Sequence, residues 1–206
     1  MDDRVRLAEL VCARLCHDLS GLLASLTGTL DLLAENVETD DTMTVALDAA
    51  VDLTRRLRLL RAAWAGMARP LTLSDLTSLA EGAEGRHIHL DVSRLAPDTI
   101  FAPAMGRLVL NLLLLAADSL PRGGTLHLDG DEDDLVVRLD GPQAAWPAGL
   151  TGMLVDEDAA WDALGEARGL QAPLTALLAH ADGLVLSVLL VGGGPAAAPP
   201  LRLSAG

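Results

Sequence analysis

The chain has 206 residues and a formal net charge of -14 at pH 7, and half of its residues are hydrophobic. This supplies a core for one large domain or two small ones, and the acidic balance argues against nucleic acid or an anionic membrane as the main partner. All basic residues are arginine, which excludes a P-loop lysine and Schiff-base chemistry. One Phe, three Trp and no Tyr offer few stacking platforms for single-stranded nucleic acid.

The first predicted element is a long amphipathic helix that runs to about Asn36. Its leucines recur at three-to-four spacing and form an inward stripe: Leu15, Leu19, Leu22, Leu26 and Leu33. His17 lies off this stripe. Small residues occupy the positions around it, one turn away: Ala13, Ser20, Gly21 and Ala24. Because Gly inside a helix costs about 1 kcal/mol relative to Ala, these residues indicate that a partner approaches the histidine closely.

The pair His17-Asp18 has the residue types of a nucleophilic site. A neutral imidazole is a nucleophile near neutral pH. A neighbouring carboxylate can hold one ring nitrogen as the donor and leave the other free to attack. Phosphoryl transfer through such a group needs positioning, together with charge stabilisation supplied by the partner. The alternative is an ordinary surface histidine beside a solvated aspartate.

A second helix is predicted from about Thr42 to Gly66, after a polar turn at residues 38–41. A short loop between two long helices predicts an antiparallel hairpin. Its apolar residues exceed what one hairpin can bury, and pairing two hairpins into a four-helix bundle would cover them. The alternative is that the hairpin packs only on the rest of its own chain. The sequence Ala68-Arg69-Pro70 breaks the helical pattern and predicts a boundary between a domain at 1–68 and another at 69–206.

Beyond this boundary, helical and strand patterns alternate. Predicted strands are 71–73, 87–92, 125–128, 135–139, 183–190 and 201–203. Predicted helices are one from 74, capped by Ser74, to about 83, and those at 102–120, 158–164 and 170–180. The tail 192–200 is rich in Gly, Ala and Pro. Helices and a mixed sheet in this order suit a two-layer α/β sandwich, so that the predicted fold class is α+β.

The segment Leu15-Cys16-His17-Asp18-Leu19 inside a hairpin resembles the phospho-acceptor box of two-component signalling, and in particular that of the ChpT-type bacterial histidine phosphotransferases. The resemblance extends over the order of elements in most of the chain. It implies a homodimer, built from a kinase-like dimerisation hairpin and a degenerate histidine-kinase ATPase domain. It also implies that the protein passes a phosphoryl group between receiver-domain aspartates through His17, while Asp18 orients the ring.

Three segments resemble the nucleotide boxes of kinase ATP domains, and each is altered. The second asparagine of the N box, a magnesium ligand in the kinases, falls on Leu115, which cannot coordinate a hard cation. The last glycine of the Asp-x-Gly-x-Gly box is Gln143. The second glycine box retains Gly169. Gln171 and Pro173 stand where backbone amides would cradle phosphates, and proline lacks an amide donor. These changes predict no ATP use and no cofactor, with Mg²⁺ only on the partner receiver domain.

Arginines late in the second helix form a basic patch that should return towards the level of His17: Arg55, Arg56, Arg58 and Arg61. Receiver domains have an acidic pocket, so complementary charge would steer docking. The patch can equally be a solvated helix face with intrahelical ion pairs. We predict partner contacts around His17 and on this patch, through the following residues: Ala13, Arg14, Ser20, Gly21, Ala24, Arg55, Arg58 and Arg61.

No metal site is predicted. Cys12 and Cys16 are expected to be reduced and partly buried. His87 and His89, placed on one strand face, and His127, on another strand, are expected to be solvated or satisfied histidines.

The predicted function is therefore a histidine phosphotransferase of a two-component phosphorelay. Its partners would be response-regulator receiver domains, with the receiver of a hybrid kinase as donor. Two alternatives are an active histidine kinase and a non-catalytic adaptor that binds receiver domains. A start at Met1-Asp2-Asp3, without a leading apolar run, predicts a cytoplasmic protein with no membrane partner.

Overall fold

The computed structural model describes residues 3–34, 40–65, 69–84, 87–189 and 198–206. The predicted end of the first helix near Asn36 lies outside these ranges. So do parts of the turn at 38–41, of the boundary at 66–70 and of the tail at 192–200. The division into domains at residues 68 and 69 stays a prediction.

The described residues contain seven α-helices, seven strands and a short 3-10 helix at Ala167–Gly169. The order of these elements agrees with the predicted α+β class. The helices are α1 (Asp3–Ala34), α2 (Asp40–Trp64), α3 (Leu73–Glu84), α4 (Pro103–Ser119), α5 (Leu150–Val155), α6 (Glu157–Asp162) and α7 (Gln171–Asp182). The strands are β1 (Leu71–Thr72), β2 (Ile88–Arg94), β3 (Ile100–Phe101), β4 (Gly124–Gly130), β5 (Asp134–Asp140), β6 (Leu184–Val188) and β7 (Leu201–Ala205). The short elements β3 and α5 were not predicted.

The main sheet has five strands in the order β2-β4-β5-β7-β6, in which only β2 and β4 are parallel. The short strands β1 and β3 form a separate antiparallel pair. Inward residues such as Leu126, Val137 and Leu203 are buried, while Arg138 and Arg202 lie on the outer face. This alternation is the pattern of a sheet with one face on a core and the other in water. Helices α3, α4, α5 and α7 contact the strands, and α4 is buried along nearly its whole length. The predicted two-layer sandwich is therefore confirmed.

The hairpin of α1 and α2 differs along its length. At the end of the hairpin nearer the sheet, Leu59 and Leu60 of α2 belong to the hydrophobic core that the hairpin shares with the α/β layer. Leu10, Val11 and Leu15 of α1 pack against this core. Towards the turn, large apolar side chains of both helices are about half exposed. They are Leu23, Leu30, Leu32, Met43, Val45, Leu47 and Val51. The hairpin thus packs on its own chain at one end only, and its other end keeps an apolar surface.

Helix α1 is long and apolar enough over Asp3–Leu33 to cross a membrane by length and composition, and 6% of its most apolar stretch is buried within the chain. Two charged residues in its middle, Arg14 and Asp18, are bonded to other helices of the same chain. The apolar side chains of α1 that its own chain leaves half exposed lie mainly towards the turn, at Leu23, Leu30 and Leu32.

Thr72, and not Ser74, caps helix α3. The Thr72 hydroxyl accepts from the Asp75 amide at 3.1 Å, and the Thr72 amide donates to the Asp75 carboxylate at 3.4 Å. This reciprocal arrangement is a capping box, in which the cap and the third helical residue satisfy each other's amides. The prediction that Ser74 caps the helix was wrong because Leu73 already belongs to the first turn.

Helices α2 and α3 approach each other closely at Gly82. A Cβ atom at this position would lie 2.6 Å from the carbonyl oxygen of Arg55 and 2.8 Å from the Cβ of Leu59. Backbone atoms cannot yield as a flexible side chain can, so the contact requires glycine. It fixes how the α/β layer sits against the hairpin.

We predict that Gly82→Ala lowers the free energy of unfolding by about 1–3 kcal/mol, because the added methyl group would overpack the contact between α2 and α3. Urea denaturation followed by circular dichroism measures the change. Gly152→Ala is the matched control, since a Cβ there meets nothing within 4 Å. The control should be neutral or more stable by up to about 1 kcal/mol, from helix propensity alone. Equal stability of Gly82→Ala and the wild type would refute the close contact.

Candidate functional site

His17 stands on the outer side of α1, with 59% of its side chain exposed. Its Nδ1 atom lies 3.4 Å from Oδ1 of Asp18. If Nδ1 carries the ring proton and donates it to this carboxylate, Nε2 keeps its lone pair. The ring is thus accessible and has a carboxylate beside one nitrogen, as the sequence predicted.

Asp18 is a buried carboxylate held by two arginines, and its side chain is 4% exposed. Arg14, one turn earlier on α1, donates from Nε to Oδ1 at 3.1 Å. Arg56, on α2, donates from Nη2 to Oδ2 at 2.5 Å. Both oxygens are therefore bonded to guanidinium groups, and Asp18 joins the two helices of the hairpin as well as contacting His17.

Arg14 connects this carboxylate to the α/β domain. Its Nη2 lies 3.1 Å from Oδ1 of Asp118 on α4, and its Nη1 donates to the carbonyl of Arg168 at 2.8 Å. The side chain of Arg14 is only 7% exposed. The predicted contact of Arg14 with a partner is therefore corrected, because its guanidinium is buried in bonds within the chain.

Opposing effects act on the pKa of Asp18. Burial raises it, because desolvation disfavours the charged carboxylate. The positive charges of Arg56 and Arg14, and the hydrogen bonds from Arg56 and His17, lower it and prevail. Asp18 is therefore ionised at neutral pH, and it holds the ring as an anionic acceptor.

A recess of about 280 Å³ opens beside His17, between α1, α2 and α3. Its lining residues are His17, Asp18, Gly21, Leu22, Asp52, Arg56, Glu81 and Gly82. The second helix thus returns to the level of the histidine, as predicted. Helix α3, from the α/β domain, supplies a third wall that the sequence did not predict.

The predicted small residues around His17 leave open space. Ala13, Ser20, Gly21 and Ala24 are all exposed, and a Cβ added at Gly21 would meet nothing within 4 Å. The Ser20 hydroxyl donates to the carbonyl of Cys16 at 2.6 Å, so it turns back on the helix. The described part of the chain therefore leaves this face of α1 uncovered.

The arginine patch is divided between inward and outward side chains. Arg56 is buried, whereas Arg58 and Arg61 are exposed. Arg55 is partly exposed and lies 3.1 Å from Glu81 and 3.9 Å from Asp52. Arg55 thus fits the interpretation of ion pairs within the chain. Arg58 and Arg61 face solvent, as a docking patch requires.

The cysteines and the other histidines do not line the recess beside His17. Cys12 and Cys16 are free, but both are exposed, so the expected partial burial was wrong. His87 lies in a turn with φ of 58°, before β2, and does not share a strand face with His89. His127 lies 2.8 Å from Asp91. No group of three or more possible metal ligands occurs among the described residues.

Residues that resemble kinase nucleotide boxes form a buried polar network. Asn111 donates to the carbonyl of Ala63 at 2.9 Å and accepts from Gln171 at 3.0 Å. Gln171 also donates to the hydroxyl of Thr175 at 3.1 Å. These three polar side chains are at most 2% exposed, and Leu115 nearby in sequence is fully buried. The network holds α2, α4 and α7 together.

Sequence reasoning missed most of the site's supporting residues. The four-residue spacing of Arg14 and Asp18 is a recognisable ion-pair signal within a helix. Asp118 carries no such signal, because it lies 104 positions from Arg14. Gly82 and Glu81, like Asp118, reach the site through tertiary packing alone.

An exposed histidine on a helical hairpin, joined to an α/β layer, is the arrangement that the sequence resemblance to histidine phosphotransferases implies. Residues 73–193 match the family model described as histidine phosphotransferase C-terminal domain. The chain is 25% identical over 189 residues to protein phosphotransferase ChpT of Brucella abortus (strain 2308), covering 88% of this chain and 89% of that protein. A solved bacterial phosphotransferase superposes with a TM-score of 0.72 and 22% identity, covering 98% of this chain and 96% of that one.

The chain belongs to the histidine phosphotransferase family. Its function is accordingly that of a phosphorelay phosphotransferase, as the sequence predicted.

Asp18→Asn tests the anchoring role of the buried carboxylate. The amide leaves two buried guanidinium groups without their shared anion, and we expect a loss of about 3 kcal/mol at pH 7. The control Asp134→Asn breaks an exposed pair with Arg202 and should leave the stability nearly unchanged. Urea denaturation at one fixed protein concentration measures both.

The same carboxylate predicts a pH dependence. Because the folded-state pKa of Asp18 is lowered, its stabilisation is complete above the unfolded pKa, which lies near 3.8. It is lost as the pH falls through the lower folded-state value. The stability of Asp18→Asn should therefore fall less steeply than that of the wild type below about pH 4. Parallel curves would contradict the assignment.

Proposed function

We propose that His17 accepts a phosphoryl group from one receiver-domain aspartate and donates it to another. The observation that carries this proposal is the exposed imidazole whose Nδ1 faces the buried carboxylate of Asp18. A merely solvated aspartate would not orient the ring, whereas this carboxylate is fixed by two arginines.

The transfer needs no proton to leave the ring. Nε2 of His17 attacks the phosphorus of a partner's aspartyl phosphate, and the acyl phosphate P–O bond breaks. The electron pair returns to the partner's carboxylate. The phosphorylated ring keeps its proton on Nδ1 and carries a positive charge, which the carboxylate of Asp18 stabilises. In the reverse sense, an aspartate of the second receiver attacks phosphorus and the P–N bond breaks.

The partners that fit this chemistry are response-regulator receiver domains, with the receiver of a hybrid kinase as donor. The exposed face around Gly21 and Ala24 admits a partner close to His17. Arg58 and Arg61 add positive charge on the neighbouring helix, complementary to an acidic receiver pocket. The receiver would bring the Mg²⁺ that its aspartyl phosphate requires. Such a relay fits a cytoplasmic protein.

The protein performs this transfer without ATP. Gln171 occupies a position where the family resemblance expects a phosphate cradle, and its amide is bonded to Asn111 and Thr175. Leu115 lies in the core, with no oxygen to offer a cation. The altered residues are part of the packing, which argues against the alternative of an active histidine kinase.

The protein acts as a homodimer whose hairpins form a four-helix bundle. The half-exposed apolar residues at the far end of α1 and α2 support this arrangement, since a second hairpin would cover them.

We expect light scattering at micromolar concentration to give about twice the 21.5 kDa mass of one chain. Leu30→Glu, which places a charge at a half-exposed apolar position of α1, should shift the protein towards the monomer. Val155→Glu is the control, because Val155 is 81% exposed on α5, away from the hairpin. A monomeric wild type would refute the dimer.

His17→Ala should abolish phosphoryl uptake from a phosphorylated receiver domain. The fold should be retained, with stability within about 0.5 kcal/mol, because the side chain is exposed. Acid-labile, base-stable radiolabel on the protein is the measurement. The control His89→Ala, at another exposed histidine, should take up phosphate normally.

The same assay separates the alternatives. Uptake of label by His17→Ala would mean that another residue is the acceptor. Uptake from labelled ATP alone by the wild type would indicate an active kinase. Binding of the receiver without any transfer would indicate a non-catalytic adaptor.

A further inference from the structure

Arg56 is the component of the site whose contribution to the reaction the proposed function leaves unassigned. Its side chain is 7% exposed, and Arg56 is one of the residues that line the recess beside His17. Nη2 donates to Oδ2 of Asp18 at 2.5 Å, and Nη1 points to the carbonyl of Gly82 at 3.5 Å. The guanidinium is therefore directed at the carboxylate and at the α3 backbone.

The two oxygens of Asp18 have different partners. Oδ1 is shared between Nε of Arg14 and Nδ1 of His17, whereas Oδ2 is bonded to Arg56. A carboxylate held at one oxygen can rotate about its Cβ–Cγ bond, whereas one held at both oxygens cannot. The bond to Oδ2 thus keeps Oδ1 facing the imidazole.

The charges around the pair are nearly balanced. Arg14 and Arg56 face the anions Asp18 and Asp118, so that this cluster of four groups is formally neutral. Asp52 of α2 and Glu81 of α3 line the recess, and Arg55 lies 3.1 Å from Glu81. Of these charged groups, Asp18 is the one bonded to the imidazole of His17 through Oδ1. Arg56 is the cation bonded to Oδ2 of Asp18.

We propose that Arg56 is a positioning residue, which acts through Asp18 to keep the ring proton of His17 on Nδ1 and the lone pair on Nε2. This inference rests on the proposed role of His17 as phosphoryl acceptor. Without Arg56, Oδ2 loses its bond and the carboxylate can turn from the ring. The proton is then free to reside on Nε2, where it blocks the nucleophilic lone pair.

The test uses phosphoramidate, a small phosphoryl donor, so that docking of a receiver does not enter. Nε2 attacks its phosphorus, the P–N bond of the donor breaks, and ammonia leaves with the electron pair. Arg56→Gln in the 206-residue chain should slow phosphorylation of His17 by about 10-fold or more, because Nε2 then carries the proton in most molecules and has no free lone pair. Arg56→Lys keeps a positive charge next to the Asp18 carboxylate and should therefore restore most of the rate.

Nitrogen-15 NMR of the imidazole at pH 8 gives a second readout, which loss of structure alone would not mimic. The wild type should show the tautomer protonated at Nδ1. Arg56→Gln should shift the population towards the tautomer protonated at Nε2. An unchanged tautomer in a folded Arg56→Gln protein would overturn the proposal.

A double-mutant cycle decides whether Arg56 acts through Asp18. If it does, adding Arg56→Gln to Asp18→Asn should change the phosphoramidate rate by less than about 2-fold. If the rate reductions of the two single substitutions multiply in the double variant, Arg56 acts directly on the phosphoryl group, and the proposal is overturned.

Arg107→Gln is the matched control, because it removes a partly buried arginine whose Nη2 lies 2.6 Å from Asp182, on α4 and α7. Its rate should stay within about 2-fold of the wild type. A loss as large as that of Arg56→Gln would assign both effects to general destabilisation. His17→Ala in the same assay tests the proposed function separately. Phosphorylation of this variant would refute His17 as the acceptor and would not bear on the role of Arg56.

Discussion

The structure depends on one buried carboxylate. Removing Asp18 from water is costly unless its charge is matched, and two guanidinium groups match it. Arg14 comes from the same helix and Arg56 from the other helix of the hairpin. Because Arg14 also reaches Asp118 of α4, a single ion network defines how three helices meet. The histidine next to Asp18 in sequence thereby acquires a fixed position, although its own side chain is largely in water.

The second polar network has a different origin. Asn111, Gln171 and Thr175 satisfy one another in the core, where an unpaired amide would be expensive. In a nucleotide-binding domain, polar groups at such positions would have to remain available for a ligand. Here they bond to one another and to the carbonyl of Ala63, and this network joins α2, α4 and α7.

Periodicity predicted the parts of this fold that are long and amphipathic. The leucine stripe of α1 and the alternation in β4 and β5 are local patterns, which explains why the hairpin and the sheet were correctly foreseen. The two-residue strand β3 and the short helix α5 have too few residues to show a period. The burial of Arg14 was also beyond reach, because its environment comes from residues about a hundred positions away. His17 and Asp18 were found because their chemistry is adjacent in sequence.

The ties between α1 and the α/β domain have a consequence for regulation. An enzyme that phosphorylates its own histidine must carry its nucleotide site to that residue and then withdraw, so its two parts must move. In this protein, the bonds from Arg14 to Asp118 and to the carbonyl of Arg168 would have to break for α1 to rotate. Among the described residues, these bonds hold α1 against the α/β layer while the face around His17 stays uncovered. If His17 is the acceptor, as proposed, the direction of phosphoryl flow follows from the phosphorylation state of the receiver domains that dock on this face and not from a rotation of α1.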